Sequence, residues 1–363
     1  MSLLRDLLAK AVSLGASDIH LKPGLKPFFR VHGDLSEGDA EVMAVERLGE
    51  IVSQILPPHL TESFKAEHEA DFSHQEDGVG RFRIDLFLAQ GAPCLAIRHV
   101  KDRVPSFEEL SLPTQFRDFS LIHRGIIVLS GTTGSGKSTT LAAMVQHINA
   151  TLRSRIVTVE DPIEYLFADD QSIISQREIG IDTLGFHAAL KHVIRQDPDV
   201  IVIGEMRDPI TFRIALSAAE TGHVVFTTLH SGTAALAVQR ILEFFPAGER
   251  EQIRMGLAGN LHAIVCQRLL SCARGGGIPA VEVLINTPTV RKLLEKDKLD
   301  VLPAAIEVGV EEGMQTFNQA VYKLIKSGLI TEKEGMAYAT NPQALRMNLQ
   351  GVFLDESKRI LSA

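Results

Sequence analysis

The chain has 363 residues, 45% of them hydrophobic and 23% charged. These values leave room for about two domains with sizeable cores and exclude wholesale disorder. A formal net charge of -8 speaks against a nucleic-acid surface, because a polyanion requires a basic footprint. Cys94, Cys266 and Cys272 form neither an even disulfide set nor a C-x-x-C pair, which points to the reducing cytosol.

The first stretch sets Leu3, Leu4, Leu7, Leu8 and Ala11 on one helical face with charges between them. It reads as an amphipathic helix and not as a signal peptide. No apolar run is long enough to span a bilayer, so any membrane role is expected to be peripheral. Residues 1–100 read as a small α/β domain. Short strands are expected at Asp18–Leu21 and Pro27–Val31 around a Lys22-Pro23-Gly24 turn, and helical periodicity over 41–56. The run from Arg81 to Leu86 alternates strictly, which sends Phe82, Ile84 and Leu86 to a buried face and Arg81, Arg83 and Asp85 to the other. With Cys94–Val100 as a neighbouring strand, Arg83 and Arg98 reach one open face.

Residues 101–123 contain Val104-Pro105 and Leu112-Pro113 and few periodic cues, as a linker does. From 124 to 287 strands and helices alternate. Strands are expected at 126–130, 156–160, 199–204, 223–229 and 279–285. Helices are expected after a glycine loop and at 183–196, 209–221, 233–243 and 249–271. That order implies a mostly parallel sheet covered on both faces. Cys266 and Cys272, six apart in a helical stretch, read as buried or half-buried thiols and not as metal ligands. From 288 to 363 the pattern is helical and more charged, suiting a small C-terminal helical appendage.

The chemistry centres on the apolar run Ile126-Ile127-Val128-Leu129-Ser130 and the turn after it: Gly131, Thr132, Thr133, Gly134, Ser135, Gly136, Lys137, Ser138 and Thr139. A strand, a G-x-x-x-x-G-K-[ST] loop and a helix start form a phosphate site. The glycines let backbone N–H groups converge, and the helix start adds positive potential. Lys137 is expected to neutralise the β- and γ-phosphates of a nucleotide such as ATP, and the Ser138 hydroxyl to ligate the bridging Mg2+.

The strand at 156–160 runs into Glu160-Asp161-Pro162-Ile163-Glu164. Acids at the carboxyl end of such a strand either serve Mg2+ and a water or cap a following helix, and Glu160 and Glu164 fit both roles. The apolar strand Val200–Ile203 closes on Gly204-Glu205. It places Glu205 where an acid holds Mg2+ through water or activates the attacking water. His223 and His230 are seven apart, so on one strand they face opposite sides. His230 suits a contact to the γ-phosphate or to an acid. His223 suits a structural role.

These residues resemble a known family. Gly131–Thr139, Val159–Glu164, Gly204–Asp208 and Ala219–His230 are similar to the Walker A, Asp, Walker B and His boxes of the secretion ATPases, and more narrowly of the PilT/PilU-type twitching-motility ATPases that retract type IV pili. Ser17–Leu21, Gly80–Arg83, Gln176–Glu178 and Gly313–Phe317 carry the similarity along nearly the full chain. The resemblance implies a PAS-like domain at 1–100, a RecA-like ATPase domain at 124–287 and a cytoplasmic homohexamer. It further implies ATP and Mg2+ as cofactors, and association with the inner membrane through a pilus platform protein. It also implies that Arg83 and Arg98 approach a phosphate across a domain or subunit boundary, a task that suits a fixed, forked charge.

The four-cysteine zinc module of the pilus-extension relatives is missing, which favours the retraction branch. The stretch Thr289–Lys296 and the tail with Ala280–Leu284 look more like the accessory PilU branch, so a second retraction ATPase is a further expected partner. A RecA-type nucleic-acid motor would need an aromatic and basic track, and aromatic residues make up only 6% of the chain, with no Trp. A scaffold that binds ATP without turnover would not need Lys137, Glu164 and Glu205 together.

Overall fold

In the computed structural model, residues 3–352 are described, apart from 32 and 102. The end of the expected C-terminal appendage, 353–363, lies outside the described residues. The chain divides into two units, one formed by Met1–Arg103 with Pro162–Leu166, the other by Val104–Asp161 with Phe167–Ala363.

The first unit is a six-stranded sheet of β1 (Asp18–Leu21), β2 (Phe28–Val31), β3 (Asp34–Glu37), β4 (Glu69–Glu76), β5 (Gly80–Ala89) and β6 (Ala92–Val100). Its order is β3-β2-β1-β6-β5-β4 and every neighbouring pair is antiparallel. The alternation in β5 does what its pattern dictates: Phe82, Ile84 and Leu86 are buried with Ile19, Leu21 and Ile97 beneath the helices Leu3–Leu14 and Val45–Ile55. The strands β3 and β4 carry too few apolar residues to announce themselves. β3 is exposed throughout, as an edge strand permits.

The second unit holds a seven-stranded sheet. It comprises β7 (Gly125–Ser130), β8 (Arg155–Glu160), β9 (Ile173–Glu178), β10 (Val200–Ile203), β11 (Val224–Leu229), β12 (Leu261–Ser271) and β13 (Gly277–Ile285). The order is β13-β12-β7-β11-β10-β8-β9. All pairs are parallel except β12 with β13, so the expected parallel, helix-covered sheet is present. Along β7, Ile126 and Val128 face one core while Ile127 and Leu129 face the other. The helix Lys137–Thr151 covers the second face. The helices Phe186–Val193, Pro209–Glu220, Ala234–Glu243 and Ala247–Asn260 cover the first.

Three expectations are corrected here. The helix expected over 249–271 stops at Asn260, and 261–271 is β12, next to β7. At that end Asn260 donates its side-chain amide to the Gly256 carbonyl at 2.9 Å, and Asn286 donates its own to the carbonyls of Ala258 and Leu261 at 2.9 and 2.8 Å, so both satisfy acceptors that a helix end leaves open. Cys266 is therefore a strand residue, and burial pushes its thiol well above the usual range. The expected linker at 101–123 is mostly ordered structure. Phe107, Leu112, Phe116 and Phe119 are buried against the β7 sheet, the last two from a short helix, Gln115–Ser120. The helices beyond 288 are not an appendage in packing terms, because Val290, Leu294, Leu302, Phe317 and Leu345 belong to the first-face core.

Candidate nucleotide site

The carboxyl ends of three adjacent strands, β7, β11 and β10, bring the site together. β7 ends in the glycine loop, whose Gly131, Gly134 and Gly136 take φ values of 149, 79 and 89°, conformations that L side chains rarely adopt. The loop is also tightly enclosed. A Cβ on Gly131 would stand 2.4 Å from the Gln267 carbonyl, and one on Gly136 would stand 2.7 Å from the Gln267 amide nitrogen. Thr132 and Thr133 are exposed, whereas Ser135 is buried.

Lys137 opens the helix and is only 8% exposed. Its Nζ donates to the carbonyls of Gly131 at 2.8 Å and Thr132 at 3.0 Å, so the ammonium lies folded over the loop. Ser138 and Thr139 follow in the first helical turn. Ser135 Oγ is buried with no hydrogen-bond partner among the described residues. An orphaned hydroxyl, a folded-over lysine and a loop whose Gly131 and Gly136 leave no room for a Cβ are features that fit a polyphosphate. Among the described residues no group of three or more His, Cys, Asp or Glu could hold a metal. Mg2+ bound with a nucleotide is held chiefly by phosphate oxygens and waters, with one or two protein oxygens.

Glu205 follows β10. Arg207 Nη2 donates to its Oε2 at 2.6 Å, and His230 Nε2, from the end of β11, lies 3.3 Å from Oε1. Burial pushes the Glu205 carboxyl up, but the Arg207 hydrogen bond, the Arg207 and His230 charges and the Lys137 ammonium outweigh it and hold it below the usual carboxylate range. Glu205 is therefore ionised at neutral pH. The bond from Glu205 raises Arg207 in turn. Of the two contacts that suited His230, the acid is the one present. Asp208, the next acid, caps the helix Pro209–Glu220 by accepting from Ile210 and Thr211 N–H, both at 2.9 Å. His223 is structural, as expected: its Nδ1 lies 2.9 Å from the Ala218 carbonyl.

Glu160 stands apart from these residues within the second unit, and Glu164, Arg83 and Arg98 belong to the first. Glu160 ends β8, three strands from β7, and its Oε1 accepts from Thr158 at 2.6 Å and Gln176 at 3.2 Å. The segment after it is not helical, so Glu160 and Glu164 do not cap a helix. A Cβ on Gly204 would stand 3.2 Å from Glu160 Cα, so the chain leaving β10 passes close to the end of β8. Glu164 belongs to the short segment grouped with the first unit, where the neighbouring Tyr165 bridges to Lys101.

Arg83 and Arg98 also belong to that unit, and they face each other directly across β5 and β6. Arg83 pairs with Asp71 through Nε at 2.9 Å and through Nη2. Arg98 Nε donates to Asp18 at 2.9 Å, yet its side chain stays 68% exposed. Gln267 is the contact that sequence reasoning missed. The signal was present: one amide inside the apolar run Ile264-Val265-Cys266-Gln267, in a stretch read as helix.

Comparison with known proteins agrees with this geometry. The family model described as type II/IV secretion system protein matches residues 1–351. The type IV pilus retraction ATPase PilT of Pseudomonas aeruginosa is 38% identical over 340 residues, covering 94% of this chain and 99% of that protein. The type IV pilus ATPase PilU of the same organism is 38% identical over 345 residues, covering 95% and 90%. A crystal structure of the pilus retraction motor PilT with bound ADP superposes with a TM-score of 0.87 at 39% identity, covering 94% of this chain and 98% of that one. No helix among the described residues is long and apolar enough to cross a membrane. The chain belongs to the type II/IV secretion system protein family and is an ATPase.

Proposed function

We propose that this ATPase powers type IV pilus retraction as a homohexameric ring. It would work in the cytoplasm, held at the inner membrane by a pilus platform protein. The single observation that carries the reading is Glu205, ionised and held between Arg207 and His230 within the field of Lys137. The 38% identity to PilT over 94% of the chain supplies the pilus context.

In this reading the loop N–H groups, with Thr132, Thr133, Ser135 and Thr139 beside the glycines, cradle the phosphates. Lys137 leaves the Gly131 and Thr132 carbonyls for the β- and γ-oxygens. Mg2+, held by the Ser138 hydroxyl and through water by Glu205, would neutralise charge on the phosphates. A carboxylate with a lowered pKa is a weak base, so Glu205 acts mainly by orienting the attacking water. His230 sits on the far oxygen of Glu205 and responds when the γ-phosphate leaves. Glu164 and Glu160 act at the edge of the site, Glu160 from the end of β8, where it is held by Thr158 and Gln176. Arg83 and Arg98 exchange Asp71 and Asp18 for phosphate oxygens when the N-terminal unit closes.

A second reading, an accessory PilU-like ATPase assisting another retraction motor, draws on the equal identity of 38% to PilU. Expression in cells lacking their retraction ATPases separates the two. Retraction restored by this chain alone supports the motor, and retraction only alongside the second ATPase supports the accessory role. The motor itself is tested by ATPase rate against protein concentration for wild type, Lys137→Ala and Glu205→Ala, with and without single-stranded DNA. A concentration-dependent rate that collapses in both variants is expected. A wild-type rate no higher than theirs sinks the motor, and strong DNA stimulation transfers the reading to a nucleic-acid translocase.

A further inference from the structure

We propose that Gln267 is a positioning residue for the nucleotide loop, and that Arg268, next to it on β12, makes the loop answer to the C-terminal helices. The parallel pairing of β12 with β7 sets Cys266 opposite Ser130, so Gln267 comes level with the first loop residue. Its side chain is 4% exposed and uses both ends of its amide. Nε2 donates to the Ser135 carbonyl at 2.8 Å, and Oε1 accepts from Thr140 Oγ1 on the following helix at 2.9 Å.

The Ser135 bond has a consequence for phosphate binding. In a trans peptide the carbonyl and the next N–H point in opposite directions. Holding the Ser135 carbonyl toward β12 therefore turns the Gly136 N–H away from β12 and fixes it before a phosphate arrives. A loop with its donors already aimed loses less freedom on binding than one that must order them. The absence of side chains at Gly131 and Gly136 belongs to the same device, because a Cβ at either would strike Gln267.

Arg268 points the other way, as successive strand residues do. Its guanidinium lies 3.8 Å above the Phe317 ring and donates to the Tyr338 carbonyl. Three residues past it on the strand, Ser271 N–H donates to Glu334 at 2.6 Å. The helices Phe317–Lys326 and Glu332–Tyr338 thus hold one side of the strand whose other side holds the loop. A displacement of those helices moves Gln267, and through it the Gly136 donor.

The inference rests on the loop being the nucleotide site, so Lys137→Ala is measured alongside. Full-length variants are titrated with a fluorescent ADP, and the nucleotide-free unfolding midpoint is recorded. Gln267→Met and the near-isosteric Gln267→Glu both lose the donor to Ser135, and each is expected to weaken ADP about tenfold. Thr140→Val, which spares that donor, is expected to stay within about threefold of wild type even where its midpoint falls as far. Phe317→Leu is expected to weaken ADP in the wild-type background and to add nothing in Gln267→Met. Wild-type ADP affinity in folded Gln267→Glu, or Phe317→Leu effects that simply add, overturns the proposal while Lys137→Ala still loses ADP. ADP bound normally by Lys137→Ala would remove the site reading and the proposal with it.

Discussion

The two units carry their candidate site residues in opposite ways. In the second unit Lys137, Glu205 and His230 sit at the carboxyl ends of β7, β10 and β11. They converge because three neighbouring parallel strands end together. In the first unit Arg83 and Arg98 lie within antiparallel strands, on the open face of the sheet. They stand in a register row that runs Arg30, Asp18, Arg98, Arg83, Ser73 across five strands. A strand-end site is fixed by the backbone and by sheet topology. A face row is set by alternation along each strand together with the register between strands. The difference teaches that the second unit gathers its candidate residues at one place, whereas the first spreads its charges along a sheet face.

The sharpest way to break this contrast is at Glu205. Glu205→Gln keeps the shape and removes the charge, so ADP and ATP binding are expected to persist while kcat falls by about 10²–10³. Loss of binding in equal measure would make Glu205 part of the cradle instead. Next come the arginines. Arg83→Ala and Arg98→Ala are each expected to lower kcat roughly ten- to a hundredfold with little change in ADP affinity, below the usual worth of a lone arginine finger because two share the work. An ADP affinity that falls with them would place these side chains in the resting cradle and erase the distinction between the units.

A smaller effect is expected in the pH profile. Because the Glu205 pKa is depressed, its ionised form contributes stability and function above its unfolded-state pKa. That contribution is lost as pH falls through the folded one. Arg207→Ala removes the strongest lowering influence, so the acid limb of the kcat profile is expected to move to higher pH. An unmoved limb would mean that His230 and Lys137 suffice. The smallest expected effect is purely structural. Asp208→Ala removes the cap on Pro209–Glu220 and is expected to cost about 1 kcal/mol, lowering the unfolding midpoint by about 2–4 °C with kcat per folded molecule unchanged.

Much of the second unit was legible because its signals are local. An apolar strand, glycines that need positive φ and a lysine at the helix start lie within a dozen residues. The step from Ile203 to Glu205 is equally short. The alternation of β5 was legible for the same reason, and with it the shared face of Arg83 and Arg98. The strand β12 was not. It is buried on nearly every side, so its apolar run carries neither a clean period of 2 nor of 3.6. Asn286, whose amide caps the end of the preceding helix from outside it, is more than twenty positions away. The segment at 104–123 misled for a related reason, since its prolines hide four buried aromatic and aliphatic anchors.

By itself, then, the sequence determined the nucleotide loop, the acid at the end of β10, the parallel sheet and the arginine face. Each is a matter of neighbours along the chain: backbone sterics, side-chain alternation and the chemistry of adjacent residues. Only the tertiary structure decided what stands beside them. Strand order put His230 on Glu205, and the β12–β7 register put Gln267 beneath the glycine loop. Such partners are set by which strands pair, a choice governed by long-range burial that no local pattern records.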